Sequence, residues 1–592
     1  MFTRFIFAGG FALIAVLASS GVARSETATQ TIYPINRAEI LAGSRFDLKV
    51  EFPVAADNAL TLTINGQNAA ALTGATPEVV RNEEGQAHSA LWLRGARLRE
   101  PGRYEVVAST ASGSTKVEWD VYGTPARAAR NVILLVGDGM SVAHRTAARM
   151  LSKGIVEGKY GGELAMDDMP HMALVSTAGT DSIITDSANS MSAYTTGHKT
   201  CVNALGVYCA RNIGPLAHPR VETISSLVQR RLGLAVGVVT NSEIEDATPA
   251  GMVAHTRRRT EMNEIVRMFH DAKPEVMLGG GSAYFLPKSS GGKREDGVDY
   301  IAKFKDGGYA FAATASELRT AAADPGTRRL LGLFNPENID GALDLKFLKK
   351  GSVERYPDQP DLVAQTRAAL DVLGRAENGF LLMVESSRID KYSHSLDWER
   401  AVYDTILLDN AVRVAKDFAS ARNDTLVIVV PDHAHPVSIV GTFNDERPGD
   451  TPRSKLGVYA DAGYPNYPDA DSDGYPPSTD VSRRLALMFG AYPDHCFSGK
   501  PHLEREFAPT QTGADGQSKV ANEANCRPGT VRLFGNLPFD APQGVHAGDD
   551  VILTAMGPGS ERFRGHIDNT FVFRVIAGAL GLADTTAGEI AD

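Results

Sequence analysis

Asn131-Val-Ile-Leu-Leu-Val-Gly-Asp138-Gly139 is a short, unbroken apolar run that stops at a glycine, a carboxylate and another glycine. A strand with no polar alternation has both faces buried, which is the signature of a parallel sheet covered by helices on each side. Three further runs repeat it: Leu234 to Val239, Phe380 to Val384 and Leu426 to Val430. Between them lie long stretches with helical spacing, such as Leu362 to Leu373. The pattern predicts an α/β fold, doubly wound, with a mostly parallel central sheet and helices on both faces. In such sheets ligands bind beyond the carboxyl ends of the strands, so the residues after each run are where chemistry is expected.

Those residues are rich in metal-ligand types. The first run ends in Asp138, the third in Glu385 followed by Asp390, Lys391 and His394, and the fourth in Asp432-His433. Glu245-Asp246-Ala247-Thr248 follows the second run, and Val545-His546-Ala547-Gly548 lies near the C-terminus. Burying so many carboxylates without cations is prohibitive, which favours metal ions. Asp390 and His394 are four apart, so one helical turn aims both at a single ion. Nitrogen plus carboxylate sets suit zinc, and an all-oxygen set including Thr248 suits magnesium. Thr185-Asp186-Ser187-Ala188-Asn189 opens a helical stretch. A serine there is ordinarily a cap, but beside a metal cluster its hydroxyl becomes a nucleophile, and the helix terminus helps hold a phosphate.

Outward from this core, residues from about 30 to 124 alternate apolar and polar side chains. Phe46, Leu48, Val50 and Phe52 interleave with Asp47, Lys49 and Glu51, the period of a half-buried strand. Asn65-Gly66 marks a hairpin, and Val117, Trp119 and Val121 a last strand. A small all-β, immunoglobulin-like sandwich is expected, with a stabilising or spacing role. Residues 1–23 read as a signal peptide: Arg4 precedes the uncharged run Phe5 to Ala23, which closes on Gly21-Val22-Ala23. No other segment is long and apolar enough to span a bilayer, so an exported, periplasmic or secreted protein without stable membrane insertion is expected. The four cysteines fit that compartment, and sequence neighbourhood pairs Cys201 with Cys209 and Cys496 with Cys526.

The 592 residues carry 60 basic and 71 acidic side chains, a net charge of −11, which argues against nucleic-acid readout. An anionic substrate then needs a strong local positive centre.

The ordered motifs resemble the alkaline phosphatase family. The resembling stretches are VGDGMS from Val136, TDSANSMSAYTTGHKT from Thr185, GVVTNSEIEDATPAGMVAHTRRR from Gly237 and MLGGGSAYF from Met277. NGFLLMVESSRIDKYSH from Asn378, VPDHAH from Val430 and HAGDDV from His546 complete them. Similarity runs over roughly 131–285, 360–442 and 543–580, within a catalytic domain spanning 130–592. The resemblance implies Ser187 as nucleophile, forming a phosphoserine, and two zinc ions with one magnesium. Asp390, His394 and His546 would hold one zinc, and Asp138, Asp432 and His433 the other. Asp138, Thr248 and Glu385 would hold magnesium, with Asp246 and Lys391 behind the ligands. Arg259 would grip the phosphate in bidentate fashion; Arg257 and Arg258 compete on chemistry alone. Small phosphate monoesters of broad specificity are the implied substrates. A phosphodiesterase or sulfatase on the related fold is the rival, although Ser187-Ala-Asn-Ser lacks the C/S-x-P-x-R context of sulfatases.

Against the family pattern, Asn189 and His198 read as packing variants, His435 as a neighbour of the ligands, and His255 as structural. An insertion from about 443 to 542 offers a crown over the site or a subunit contact, and with it a homodimer. Within it Asp469, Asp471, Asp473 and Asp480 follow the spacing of a calcium loop, with a solvated acidic turn as the plainer reading.

Overall fold

The apolar runs become the middle of one large sheet. A computed structural model describes residues 30–53 and 60–585; the expected signal peptide lies outside the described residues. In chain order the sheet strands are β1 (Asn131–Gly137), β2 (His171–Ser176), β3 (Ala235–Glu243), β4 (Val276–Gly280), β5 (Ala310–Ala312), β6 (Leu330–Leu333), β7 (Phe380–Ser386), β8 (Thr425–Val430), β9 (Val551–Met556) and β10 (Arg564–Asp568). Their spatial order is β5-β6-β4-β3-β7-β1-β8-β9-β2-β10. Every described neighbour pair is parallel except β8–β9 and β9–β2, so β9 alone runs backwards and the sheet is mixed.

Side chains of β1 alternate between two cores. Val132, Leu134 and Val136 join a cluster with Met191, Tyr194, Phe269 and Phe573 on one face. Ile133 and Leu135 join Leu370, Leu373, Leu407 and Val412 on the other. An apolar residue at every position is therefore required, because each face is roofed by helices. The helices that position the site are α1 (Val142–Lys153), α2 (Ser187–Thr196), α3 (Ala247–Ala250), α4 (Leu362–Leu373), α5 (Arg388–His394) and α6 (Trp398–Ser420). The carboxyl end of β1, flanked by those of β7 and β8, forms the crevice.

The N-terminal all-β unit has two sheets. Strands Thr31–Tyr33, Phe46–Pro53, His88–Ala96 and Pro77–Val80 form one, in the order just given and antiparallel throughout. The second holds Gly102–Thr110 and Gly113–Tyr122 at its centre, with Ala38–Leu41 parallel to the latter. Between them Leu48, Val50, Ile64, Val106 and Trp119 are buried.

The half-buried reading of Phe46–Pro53 is corrected. Lys49 is 0% exposed and Glu51 1%, because the strand's polar face packs on the catalytic-domain loop that follows Cys201 rather than on water. Asp47 N donates to Arg220 O at 2.8 Å, and Arg220 N returns a bond to Asp47 Oδ2 at 3.0 Å. Lys49 Nζ lies 2.8 Å from Glu51 Oε1, 2.7 Å from Glu83 Oε2 and 2.7 Å from Asn212 Oδ1. Removing one partner of a buried ion pair leaves uncompensated charge costing about 3–5 kcal/mol. Lys49→Met should therefore destabilise the protein by about 3 kcal/mol, measured by denaturant unfolding; a change below about 0.5 kcal/mol would show the cluster to be energetically idle.

Both disulfides form as expected, with Cα–Cα distances of 6.2 Å for Cys201–Cys209 and 5.2 Å for Cys496–Cys526. Among the described residues no helix is long and apolar enough to cross a membrane.

Candidate active site

Strand ends, helix caps and one C-terminal loop converge at the crevice. After β1 the chain turns through Gly139 at φ +66°, where a Cβ would lie 2.8 Å from the His435 ring and 2.9 Å from Asp390 Oδ1. Only glycine lets β1 pass this close to the cluster. Gly139 N donates to Asp432 Oδ1 at 3.0 Å, and His433 N to the same oxygen at 2.9 Å. Asp432 Oδ2 is left buried with no hydrogen-bond partner.

Ser187 is not the helix cap. Asp186 caps α2, its carboxylate accepting from Asn189 N at 3.2 Å while Asn189 Oδ1 accepts from Asp186 N at 2.9 Å. This box explains Asn189, the first departure from the family pattern. Freed from capping, Ser187 Oγ faces the cluster, 3.4 Å from Asp138 Oδ1 and 3.3 Å from His433 Nε2. His198, the second departure, is buried, and its Nδ1 meets Tyr208 Oη at 2.5 Å.

On α5 His394 Nε2 lies 3.4 Å from Asp390 Oδ2, although His394 belongs to no converging ligand group among the described residues. His546 Nε2 is 3.4 Å from Asp390 Oδ1 and 3.0 Å from His394 Nε2. His394 Nδ1 and His546 Nδ1 sit 2.7 Å and 2.8 Å from the backbone carbonyls of Gly544 and Thr185. A ring nitrogen next to a carbonyl carries a proton, so in the neutral rings both Nε2 atoms would present lone pairs to the same point. Two lone pairs facing each other beside a carboxylate need a cation. His433 Nε2 stands 3.2 Å from Asp138 Oδ1 and 3.5 Å from Asp432 Oδ2.

Two groups of converging ligand atoms result: Asp390, His433, His435 and His546, and Asp138, Asp432 and His433. His435, read from sequence as a neighbour of the ligands, puts Nε2 2.6 Å from Asp390 Oδ1 and anchors that carboxylate. Burial, then the charge of Asp138, pushes both Asp432 and Glu385 well above the ordinary carboxylate range. Glu385 accepts a hydrogen bond from Thr240 Oγ1. Thr248 sits on α3, which packs against β3 and β7, and its buried Oγ1 has no partner. Carboxylates forced together, an orphaned hydroxyl and opposed imidazole lone pairs fit divalent ions. A third group, Glu51, Glu83 and His88, lies in the all-β unit, but the Lys49 ammonium already occupies its centre.

Arg259 separates from its two neighbours through its partners. Its Nη2 donates to Asp246 Oδ1 at 2.6 Å and its Nη1 lies 3.4 Å from Asp186 Oδ2, beside Ser187. Lys391 Nζ holds the other Asp246 oxygen at 2.6 Å. Burial alone would raise the pKa of Asp246; Lys391 and Arg259 outweigh it and hold the carboxyl far below its usual range. The sequence reading missed Asp186 and Thr240; the D-x-x-N spacing of a capping box was the available signal for the first. His255 is structural as expected, its Nδ1 2.9 Å from Gly206 O.

The four insertion aspartates are not brought together. Asp473 pairs with Lys346 at 2.7 Å, Asp471 Oδ1 accepts from Asp473 N and Tyr475 N, and none belongs to a ligand group among the described residues.

Comparison with known proteins places this crevice in context. The family model described as alkaline phosphatase matches residues 129–582. The alkaline phosphatase of Escherichia coli K12 is 32% identical over 353 residues, covering 53% of this chain and 71% of its own. Streptomycin-6-phosphate phosphatase of Streptomyces griseus is 32% identical over 399 residues, 60% of this chain and 83% of its own. Among solved structures, Thermus thermophilus alkaline phosphatase superposes with a TM-score of 0.55 at 23% identity, covering 78% of this chain and 93% of its own. That likeness speaks for the fold.

Proposed function

Because the chain belongs to the alkaline phosphatase family, we propose that the crevice is the active site of an exported phosphatase of broad specificity in which Ser187 attacks the phosphorus of a phosphate monoester. Family membership makes the protein a phosphomonoesterase, a metal-dependent hydrolase. The finer reading is carried by one observation: Ser187 Oγ, freed from capping, points into a cluster of three carboxylates and histidines while Arg259 is locked beside it by Asp186 and Asp246.

Asp390, His394 and His546 would hold one zinc, Asp138, Asp432 and His433 a second, and Asp138, Thr248 and Glu385 a magnesium. When bound, such ions lower the pKa of hydroxyl groups and offset charge on entering and leaving oxygens. The chain's own residues do the rest. The amino terminus of α2 directs backbone N–H groups and its dipole at an anion placed over Ser187. Arg259, its orientation set by two carboxylates, offers a fork to two phosphate oxygens. As Ser187 Oγ bonds to phosphorus it gives up its hydroxyl proton, the bond to the leaving oxygen breaks, and that oxygen takes up one proton in return. Water then attacks the phosphoserine, breaks the P–Oγ bond and restores the serine. Asp246 keeps Arg259 and the Lys391 ammonium in place throughout, its charge retained across the working pH range.

The test is direct. With zinc and magnesium supplied, p-nitrophenyl phosphate should be hydrolysed at least about a hundredfold faster than bis-p-nitrophenyl phosphate or p-nitrophenyl sulfate. A faster rate on the diester or the sulfate would replace this reading with the rival one.

A further inference from the structure

Behind Arg259 lies a cleft of about 530 Å³ that the mechanism above does not use. It is lined by Asn203, Asn212, His218, Arg257, Arg258 and Arg259 among others, and no carboxylate of the described residues is in its wall. The chain as a whole carries a net charge of −11, whereas this wall carries three arginines. It is joined to the candidate catalytic helix: Arg259 N donates to Asn203 O at 2.9 Å, and Asn203 N to the Asp186 cap at 3.1 Å. His218 is 3% exposed, and burial keeps its ring a neutral imidazole packed against the Tyr208 backbone in the wall. The Arg258 side chain is exposed and makes no hydrogen bond or ion pair with a described residue, while Arg257 is half-buried and spends one N–H on Val202 O at 2.9 Å. An exposed guanidinium without a described protein partner and a half-buried one with N–H groups to spare therefore line one cleft.

The all-β unit holds the outer wall in place. Lys49 Nζ grips Asn212 Oδ1 at 2.7 Å, Glu51 Oε1 accepts from Arg211 N at 2.8 Å, and Gln86 Nε2 donates to Arg211 O at 2.7 Å. The polar face of the Phe46–Pro53 strand thus shapes this cleft.

We propose that the cleft is a subsite for a second phosphate of the substrate, bound by Arg257 and Arg258 while the reacting phosphate lies between Arg259 and Ser187. The inference rests on the monoesterase reading and narrows it, making doubly phosphorylated small molecules preferred substrates. Phosphate is the matching chemistry because guanidinium forks donate to several oxygens of one tetrahedral anion.

Fructose 6-phosphate and fructose 1,6-bisphosphate differ by only the second phosphate. With the full-length Ser187→Ala protein in zinc and magnesium, calorimetry should find the bisphosphate bound about tenfold more tightly, the scale of one charge-assisted hydrogen bond. Adding Arg257→Ala and Arg258→Ala should bring the ratio to about one. Arg258→Glu alone, at an exposed and unpartnered side chain, should reduce it without changing the melting temperature. Equal affinities in the Ser187→Ala protein, or a preference that survives loss of both arginines, would overturn the subsite. These outcomes are separable from failure of the catalytic reading: a binding preference in a protein that turns over no monoester sinks the function and leaves the subsite. Turnover of p-nitrophenyl phosphate with no binding preference does the reverse.

Discussion

Ser187→Ala should lower kcat on p-nitrophenyl phosphate by at least about a thousandfold, because the proposed reaction passes through a covalent bond to its oxygen. The fold should not notice the change. Ser187 is 2% exposed, but its hydroxyl makes two long contacts, 3.4 Å to Asp138 and 3.3 Å to His433, and caps nothing. The cap of α2 belongs to Asp186 and survives. Kinetics and thermal melting on one preparation check both halves. Residual activity within about tenfold of the parent would mean that another group, or water, attacks phosphorus directly.

Chelation should have the second large effect, abolishing activity and lowering the melting temperature by an amount that grows with pH. Without ions, Glu385 and Asp432 are pushed well above the carboxylate range by burial and then by Asp138. The folded chain then retains protons that the unfolded chain has released above about pH 4. Stability associated with those protons is lost as pH rises toward the folded-state values. His433 and His435 act oppositely, since burial keeps them neutral, but their contribution is complete once pH exceeds about 6.5. Glu399, pushed up to about 8 by burial and Asp397, titrates with or without metal. As pH rises above about 4 the stripped protein should therefore lose stability relative to the loaded one, in which the same two carboxylates would serve as ligands. Each ion held at a hundred times its Kd adds about 2.7 kcal/mol. Calorimetric melting at steps from pH 5 to pH 9, with and without added zinc and magnesium, measures the difference. Parallel curves would argue that Glu385 and Asp432 hold no ion.

Much of this site was legible before any coordinate. Unbroken apolar runs placed Asp138, Glu385 and Asp432 at strand ends because a strand buried on both faces admits no other pattern, and helical spacing put Asp390 and His394 on one turn. The weaker strands escaped notice. His171–Ser176 exposes alternate residues near the sheet's far edge, and Leu330–Leu333 is too short to stand out. The all-β unit was seen as strands, but its polar face was misjudged. Alternation says that Lys49 and Glu51 share a side; it cannot say whether that side meets water or another part of the chain.

The linear pattern alone therefore determined the sheet, the crevice and the chemical types gathered there, since local periodicity reports how each strand and helix is buried. Which arginine faces Ser187 was a tertiary matter. Arg257, Arg258 and Arg259 are chemically alike and line one cleft, and only the long-range placement of Asp186 and Asp246 ties the Arg259 guanidinium to the cap of the helix that carries Ser187. The orphaned hydroxyl of Thr248 and the opposed nitrogens of His394 and His546 are likewise products of packing between distant segments. Charge types are written along the chain, but the direction in which a charge points is decided by partners that only folding brings within reach.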